Sequence, residues 1–323
     1  MSLNTTTSLS GQYQRHFSKQ LLDHAIDTLV LNQFAKQAEL PQGLGSKTIR
    51  FFRPVTAASA NVQTLVEGTP ISTFTDMSYT AVDVDLTQIG EAMKFTDVLG
   101  WTNLLNVLKD GIALMGEDCA LKADDVTLAS IIGGSPTKRY SGGAANFNAL
   151  NALSAANGKF TASDALDAMT NLTLNKAPRI NGQYVAVVPP QIGRDLMRDA
   201  DWLDVSKYSS ATALFKGEIG SLYGVRFVST TNAWGEDTTD DTEGTRDTAS
   251  PGIFSTIVTG RDGYGVVKLS GTSPMKPQVI ISDKADKADP LNQTLIAGWK
   301  AFYAAKVLNP AWVVVVRSKS QYA

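Results

Sequence analysis

The sequence predicts an α+β fold in which a projecting pair of strands is followed by one long helix and then by a mixed region of helices and strands. Two β-like stretches, 48–55 and 79–89, flank a small and polar stretch. Apolar residues then recur at helical spacing over 100–132, and short strand patterns return between 184 and 317. Strands and helices that do not alternate regularly are typical of the α+β class.

The composition is that of a folded protein with a sizeable core. Of 323 residues, 43% are hydrophobic and 19% are charged, which excludes an intrinsically disordered chain and suits one large domain or two interlocked ones. A net charge of −2 gives no whole-chain argument for nucleic-acid binding. Cys119 is the only cysteine, so no intramolecular disulfide can form. Since no signal-like or membrane-length apolar run is present, we expect a soluble protein made in a cytoplasm.

The N-terminal segment combines a helical pattern with a local positive charge. Apolar residues recur at three- and four-residue spacing from residue 21 to residue 34, which predicts a helix that is ended by Pro41. Residues 1–53 carry six basic and three acidic side chains, a net charge of +3. A solvated helix face explains this excess, and contact with nucleic acid is the alternative.

The stretches 48–55 and 79–89 predict a projecting hairpin with a long tip at 56–78. An isolated hairpin is at best marginally stable in water, so this arm needs a surface to lie on. If the chain supplies none, a neighbouring subunit must. The apolar residues that would otherwise be left uncovered are Phe51, Phe52, Val82, Val84 and Leu86.

The stretch 100–132 predicts a helix about 45 Å long. Gly133, Gly134 and Pro136 follow it and would stop it. Heptads do not hold along it, which argues against a coiled coil.

The rest of the chain yields shorter predictions. Ser163 is the candidate N-cap of a helix at 165–171. The stretch 236–249 carries six acids and one Arg with no large apolar residue, which predicts an exposed loop. Strands are expected at 278–282 and 311–317, and the stretch 291–308 is compatible with either helix or strand.

No residue pattern indicates a catalytic, cofactor or metal site. The two histidines, His16 and His24, lie near the N-terminus and far in sequence from Cys119, which favours neither a metal site nor a nucleophilic triad. Residues 43–48 faintly resemble a phosphate loop but lack Gly directly before Lys, and they precede a strand. We therefore expect no enzyme and no cofactor, but a structural or binding role.

Four motifs carry a resemblance to a known family. They are Thr-Leu-Val-Glu-Gly-Thr-Pro at 64–70, Tyr-Val-Ala-Val-Val-Pro-Pro at 184–190, the turn and strand at 216–228, and the C-terminal stretch 289–309. In order and span, over roughly residues 15–317, they resemble the major capsid proteins of tailed bacteriophages, which have the Hong Kong 97 fold. Within that group they are similar to the capsid family typified by coliphage N-four.

The resemblance implies a fold with an N-terminal arm, an extended loop made of a β-hairpin, a long spine helix, and peripheral and axial domains. It places the arm at 1–47, the extended loop at 48–92, the peripheral domain with the spine helix at 93–150, the axial domain at 151–275, and the peripheral-domain sheet with the C-terminal strands at 276–323.

The function that the resemblance implies is that of a major capsid protein. Copies of the chain would self-assemble into pentamers and hexamers that form the icosahedral head around double-stranded DNA, after synthesis in the bacterial host cytoplasm. Portal, scaffold and decoration proteins are further candidate partners, and no membrane or cofactor is implied. The candidate assembly contacts in the extended loop are Phe51, Phe52, Leu65, Glu67, Pro70, Val82 and Val84, and the candidate DNA-facing residues are Arg15 and Lys19.

One departure and two alternatives qualify this hypothesis. No lysine lies between Lys47 and Lys94, so covalent cross-linking through an extended-loop lysine is not expected. An encapsulin-like compartment shell would resemble the same fold but hold protein cargo, and a soluble hydrolase is the alternative from a different class. Particle contents separate the first alternative from a phage head, and particle size separates the second.

Overall fold

The computed structural model shows two β-sheets, a separate two-stranded hairpin and five α-helices in the residues that it describes. The predicted α+β class is confirmed. The described residues are 30–40, 47–55, 64, 67–68, 74, 76–102, 107–202, 218–236, 243–247, 252–269, 278–282, 291 and 293–322.

The five-stranded sheet is organised around one long strand. Strand β13 pairs antiparallel with β4 along one edge and with β12 and β11 along the other, and β1 pairs parallel with β11. The stretch that was compatible with helix or strand is therefore a strand, because it has hydrogen-bonding partners on both sides. The strands of this sheet are β1 (Lys36–Leu40), β4 (Thr87–Thr96), β11 (Tyr264–Leu269), β12 (Gln278–Ser282) and β13 (Thr294–Val307).

The seven-stranded sheet is covered on both faces. Along β14 the four valines at 313–316 are all buried, and they alternate between two hydrophobic clusters, one on each face. Strands buried on both faces have continuous apolar runs of this kind. The strands are β5 (Thr137–Tyr140), β6 (Tyr184–Val188), β7 (Glu218–Leu222), β8 (Val225–Ser229), β9 (Trp234–Glu236), β10 (Ile253–Thr259) and β14 (Val313–Ser318).

The helices flank these sheets. The longest, α2, has 27 residues and is about 40 Å long. It ends at Gly133, and the next residue must also be glycine, because a Cβ at Gly134 would lie 2.5 Å from a methyl carbon of Val307. The helices are α1 (Asp97–Thr102), α2 (Val107–Gly133), α3 (Phe147–Ala152), α4 (Ala162–Leu174) and α5 (Pro190–Met197).

The N-terminal helix prediction is wrong for its last residues. Residues 36–40, which the pattern placed before the helix-ending Pro41, form β1 and pair in register with β11. Leu40 is buried there and Lys268 forms an ion pair with Glu39 at 3.0 Å. Tertiary pairing therefore overrides the local helical periodicity. Residues 21–29 lie outside the described part of the chain.

The C-terminal stretch 276–323 contributes strands to both sheets. Strands β12 and β13 belong to the five-stranded sheet, while β14 lies between β5 and β10 in the seven-stranded sheet. The short turn 308–312 carries the chain from one sheet to the other, and so the last strand completes the neighbouring core.

The predicted N-cap of the helix after residue 160 is also wrong. The helix begins at Ala162, and the Asp164 side chain accepts hydrogen bonds from the backbone N–H and the hydroxyl of Thr161, each at 2.9 Å. Thr161 and Asp164 therefore form a capping box, and Ser163 lies exposed within the first turn.

We expect the substitution Thr161→Ala to lower the free energy of unfolding by about 1 kcal/mol, because it removes the N-cap hydroxyl of α4. Ser163→Ala is the matched control and should change it by less than about 0.5 kcal/mol. Urea denaturation of the unassembled subunit, followed by circular dichroism, measures both. Equal losses in the two variants would show that Thr161 does not cap the helix.

Candidate assembly surface

The hairpin predicted from the sequence is present. Strands β2 (Thr48–Pro54) and β3 (Tyr79–Asp85) pair antiparallel from Thr48↔Asp85 to Pro54↔Tyr79. The pairing extends one residue further, because the backbone N–H of Val55 donates to the carbonyl of Ser78 at 2.8 Å. The hairpin is hydrogen-bonded to neither of the larger sheets as a strand.

The inner face of the hairpin is packed against its own subunit. Phe51 and Val84 are 9% and 2% exposed, and they belong to a hydrophobic cluster with Leu40 and Leu308. The ammonium group of Lys306 on β13 also donates to the carbonyl of Asp83 at 2.9 Å. The base of the arm is thus held by the five-stranded sheet.

The chain itself therefore supplies part of the surface that the arm needs. Successive residues of a strand point to opposite faces, so Phe51 and Phe52 cannot share an environment. Phe51 and Val84 are buried within the subunit and Val82 is half-buried, whereas Phe52 is 61% exposed. Of these four candidate contacts, only Phe52 offers most of its side chain to a neighbour.

The outer face is polar near the base of the hairpin. The Arg50 guanidinium donates two hydrogen bonds to the Asp83 carboxylate, at 2.6 and 2.8 Å, and the hydroxyl of Thr48 donates to Asp85. The hydrogen bond from Arg50 holds the pKa of Asp83 below its ordinary value. These polar side chains form their hydrogen bonds with one another while exposed to water. The part of the outer face near the base is therefore polar.

The outer face is apolar toward the tip. Phe52 and Tyr79, which are 61% and 56% exposed, meet edge to face with ring centroids 6.5 Å apart. Met77 is also exposed, and its sulfur lies 3.5 Å from the hydroxyl of Tyr79. We call these three side chains, Phe52, Met77 and Tyr79, the distal apolar patch.

The remaining predicted contact residues are only partly placed. Glu67 is exposed in a turn with Gly68. Leu65, Pro70, Arg15 and Lys19 lie outside the described residues. Tyr79, Met77 and Phe74 were not singled out from the sequence, although the alternation of β3 could have placed Tyr79 on the same face as Phe52.

A buried ionic cluster lies in the seven-stranded sheet. Arg317 of β14 is 1% exposed, and two of its nitrogens each lie 2.9 Å from an oxygen of Glu236, which is fully buried in β9. The indole N–H of Trp234 donates to the same carboxylate at 3.1 Å. A third nitrogen of Arg317 lies 2.9 Å from Glu243, which also forms an ion pair with Lys138 of β5 at 2.6 Å.

This cluster corrects the prediction that 236–249 is merely an exposed loop. Glu236 and Glu243 both compensate the buried Arg317, and Arg246 reaches α2, where it forms an ion pair with Asp125 at 2.6 Å. The described part of the acidic stretch therefore joins α2 to the edge of the seven-stranded sheet. Composition could not reveal this, because the partners lie up to about 120 residues away in sequence.

The described residues do not form a site for chemistry. Burial raises the pKa of the Cys119 thiol to about 12, so it is protonated and unreactive at neutral pH. In this part of the chain no three His, Cys, Asp or Glu side chains come together in a way that could hold a metal ion. No helix among the described segments is long and apolar enough to span a membrane.

The fold is that of phage capsid proteins. The chain is similar to the capsid structure of cyanophage P-SCSP1u, with 15% identity, a TM-score of 0.64, and coverage of 91% of this chain and 89% of that chain. It is also similar to the capsid of Ralstonia phage GP4, with 11% identity, a TM-score of 0.66, and coverage of 90% and 88%. At these identities the likeness concerns the fold alone. No curated protein matches the sequence.

The family follows from the sequence itself. A family model described as "Phage capsid protein" matches residues 79–316, well over half of the chain. The chain therefore belongs to this family of phage capsid proteins. It is a major capsid protein of the icosahedral phage head, a structural protein and not an enzyme. The match argues against the soluble hydrolase and favours a phage head over an encapsulin-like compartment, while the finer likeness to the coliphage N-four family stays a prediction.

We expect Glu236→Gln to lower the free energy of unfolding by about 3 kcal/mol, because it leaves most of the buried Arg317 charge uncompensated. Glu117→Gln, a substitution of an exposed glutamate on α2, is the control and should change it by less than about 0.5 kcal/mol. Urea denaturation of the unassembled subunit measures both. A loss in Glu236→Gln no larger than in the control would contradict the structural role of the pair.

Proposed function

We propose that the distal apolar patch is the surface through which one subunit binds the next, and that such contacts build pentamers and hexamers of the head. The observation that carries this proposal is the division of the outer face of the hairpin. Near the base, polar side chains pair with one another, whereas toward the tip three neighbouring apolar side chains remain exposed in a single subunit. An apolar patch of this kind is typical of a protein–protein contact.

The energetics favour this use of the hairpin. At about 25 cal/mol per Å2 of buried apolar area, covering a few hundred Å2 at each contact contributes several kcal/mol. Because the base of the arm is already fixed by Phe51, Val84 and Lys306, little further ordering of the strands is needed on association. Symmetric repetition of the contact would then close the shell.

The other parts of the proposal concern partners and domains. We place Arg15 and Lys19, in the basic N-terminal segment, on the shell interior or at a subunit seam, where they contact packaged double-stranded DNA without sequence preference. Assembly would take place in the bacterial host cytoplasm, and portal, scaffold and decoration proteins would be further partners. The domain limits proposed are 1–47 for the arm, 48–92 for the extended loop, 93–150 and 276–323 for the peripheral domain, and 151–275 for the axial domain.

We expect Phe52→Ser to abolish closed shells while the subunit stays folded, because it removes the centre of the distal apolar patch but touches no buried residue. Arg50→Ser is the matched control on the same face of the same strand. It removes an ion pair that is exposed to water and so contributes little, and shells should still form. Negative-stain electron microscopy detects shells, and circular dichroism reports on folding. Normal shells from Phe52→Ser would remove the support for the proposed contact.

We expect the double substitution Arg15→Glu, Lys19→Glu to reduce the DNA retained in assembled shells, because phosphate contacts of the arm become repulsive. The difference from the wild type should be greatest at low salt and smaller at high salt, where both attraction and repulsion are screened. Nucleic-acid content is measured by the absorbance ratio of purified shells at two ionic strengths. The same double change to Gln is the intermediate control. Shells of the Glu variant that hold as much DNA as the wild type would show that these residues have no role in packaging.

A further inference from the structure

The described chain begins in a buried socket on α2. Leu31 and Asn32, in a 3-10 turn at Leu31–Gln33, are each 1% exposed. The hydroxyl of Tyr264 on β11 donates to the carbonyl of Leu31 at 2.6 Å, and the hydroxyl of Tyr303 on β13 donates to the side-chain oxygen of Asn32. Because residues 1–29 precede this point in the sequence, we call residues 30–33 the root of the N-terminal segment.

A carboxylate of α2 also lines this socket. Asp124 of α2 is 1% exposed, and one of its oxygens accepts a hydrogen bond from the backbone N–H of Val30 at 3.3 Å. The hydroxyl of Thr127, one turn further along the helix, lies 2.8 Å from the hydroxyl of Tyr303. We call Asp124, Thr127, Tyr264 and Tyr303 the root socket.

No described cation compensates this carboxylate. Its second oxygen has no hydrogen-bond partner within the described part of the chain. The ionisable groups that face it are Asp125 on α2, Tyr264 on β11 and Tyr303 on β13, and the 3-10 turn contributes none. The one nearby guanidinium, that of Arg246, is engaged by Asp125 at 2.6 Å. Burial therefore raises the pKa of Asp124 to about 7, although the backbone amides of Val30 and Leu31 lower it in part.

We propose that the root socket is a proton-controlled latch, which holds the base of the N-terminal arm firmly when Asp124 is protonated and loosens when it is ionised. An ionised Asp124 is buried without a cation, so opening of the socket stabilises the carboxylate by hydrating it. A neutral Asp124 has no such gain in hydration free energy when the socket opens. The latch is a property of the folded subunit and stands whether or not the arm contacts DNA.

The direction of the pH dependence follows from linkage. The pKa is about 7 in the closed socket and near its ordinary value of 3.8 in the open one, so the closed state binds more protons. The closed socket is therefore most stable below pH 3.8, the ordinary pKa of an aspartate. Its stability falls as the pH rises and stops falling above about pH 7. Between pH 5.5 and pH 7.5, the two pKa values correspond to a roughly 20-fold rise in the opening equilibrium.

Hydrogen exchange of the full chain, as unassembled subunits, tests the latch. Protection factors for peptides covering residues 30–36, corrected for the intrinsic effect of pH on exchange, should fall roughly 20-fold in the wild type between pH 5.5 and pH 7.5. In Asp124→Asn the fall should be absent, because the amide oxygen still accepts from Val30 but carries no charge. Asp110→Asn, an exposed aspartate on the same helix, is the matched control and should behave as the wild type.

Three outcomes would overturn the proposal. A wild-type protection factor that does not change between the two pH values is one, and it needs no variant to fold. An equal fall in the wild type and in Asp124→Asn is the second. The third comes from Tyr264→Phe, which removes the hydrogen bond to Leu31 but keeps the carboxylate: unchanged protection of residues 30–36 would mean that the socket does not hold the root.

Discussion

The packing of helix α2 across both sheets is the contact on which the rest of the structure depends. Along its first half, Ile112, Met115 and Cys119 pack in a cluster with Trp299 and Tyr303 of the five-stranded sheet. Toward its end, Leu128 and Ile131 join the core of the seven-stranded sheet. One rigid helix of about 40 Å therefore fixes the two sheets relative to each other. The hairpin at one sheet and the ionic cluster at the other are positioned through it.

Two neighbouring aspartates on this helix differ in their electrostatic environment: one is paired with a cation and the other is not. Asp125 is half-buried and paired with Arg246, so it ties the acidic stretch to the helix. Asp124 points into the core and has only backbone and neutral partners among the described residues, so its charge is costly. Adjacent residues of a helix point in directions about 100° apart. One helix can therefore bind the acidic stretch through Asp125 and residues 30–33 through Asp124.

In the hairpin, the two faces of one strand have different roles: one stabilises the subunit and the other is available for assembly. The inward residues Phe51 and Val84 attach the arm to the subunit, while the outward residues Phe52 and Tyr79 remain available. The polar pairs near the base keep that part of the outer face hydrated, and it takes no part in the proposed contact between subunits. An arm that is pre-ordered in this way loses less conformational entropy on association than a free hairpin would.

Local periodicity, and the glycines and prolines that interrupt it, were enough to predict the class of the fold, the hairpin and the long helix. The resemblance carried by four motifs was enough to indicate the capsid family. Long-range contacts were needed to show that residues 36–40 form a strand, that Phe51 is buried while Phe52 is not, and that Glu236 compensates Arg317. Each of these outcomes depends on a residue that is distant in the sequence, and a local sequence pattern does not encode such a contact. Strand pairing with β11 overrides the helical periodicity of residues 36–40. A buried charge is tolerated only where an opposite charge lies beside it.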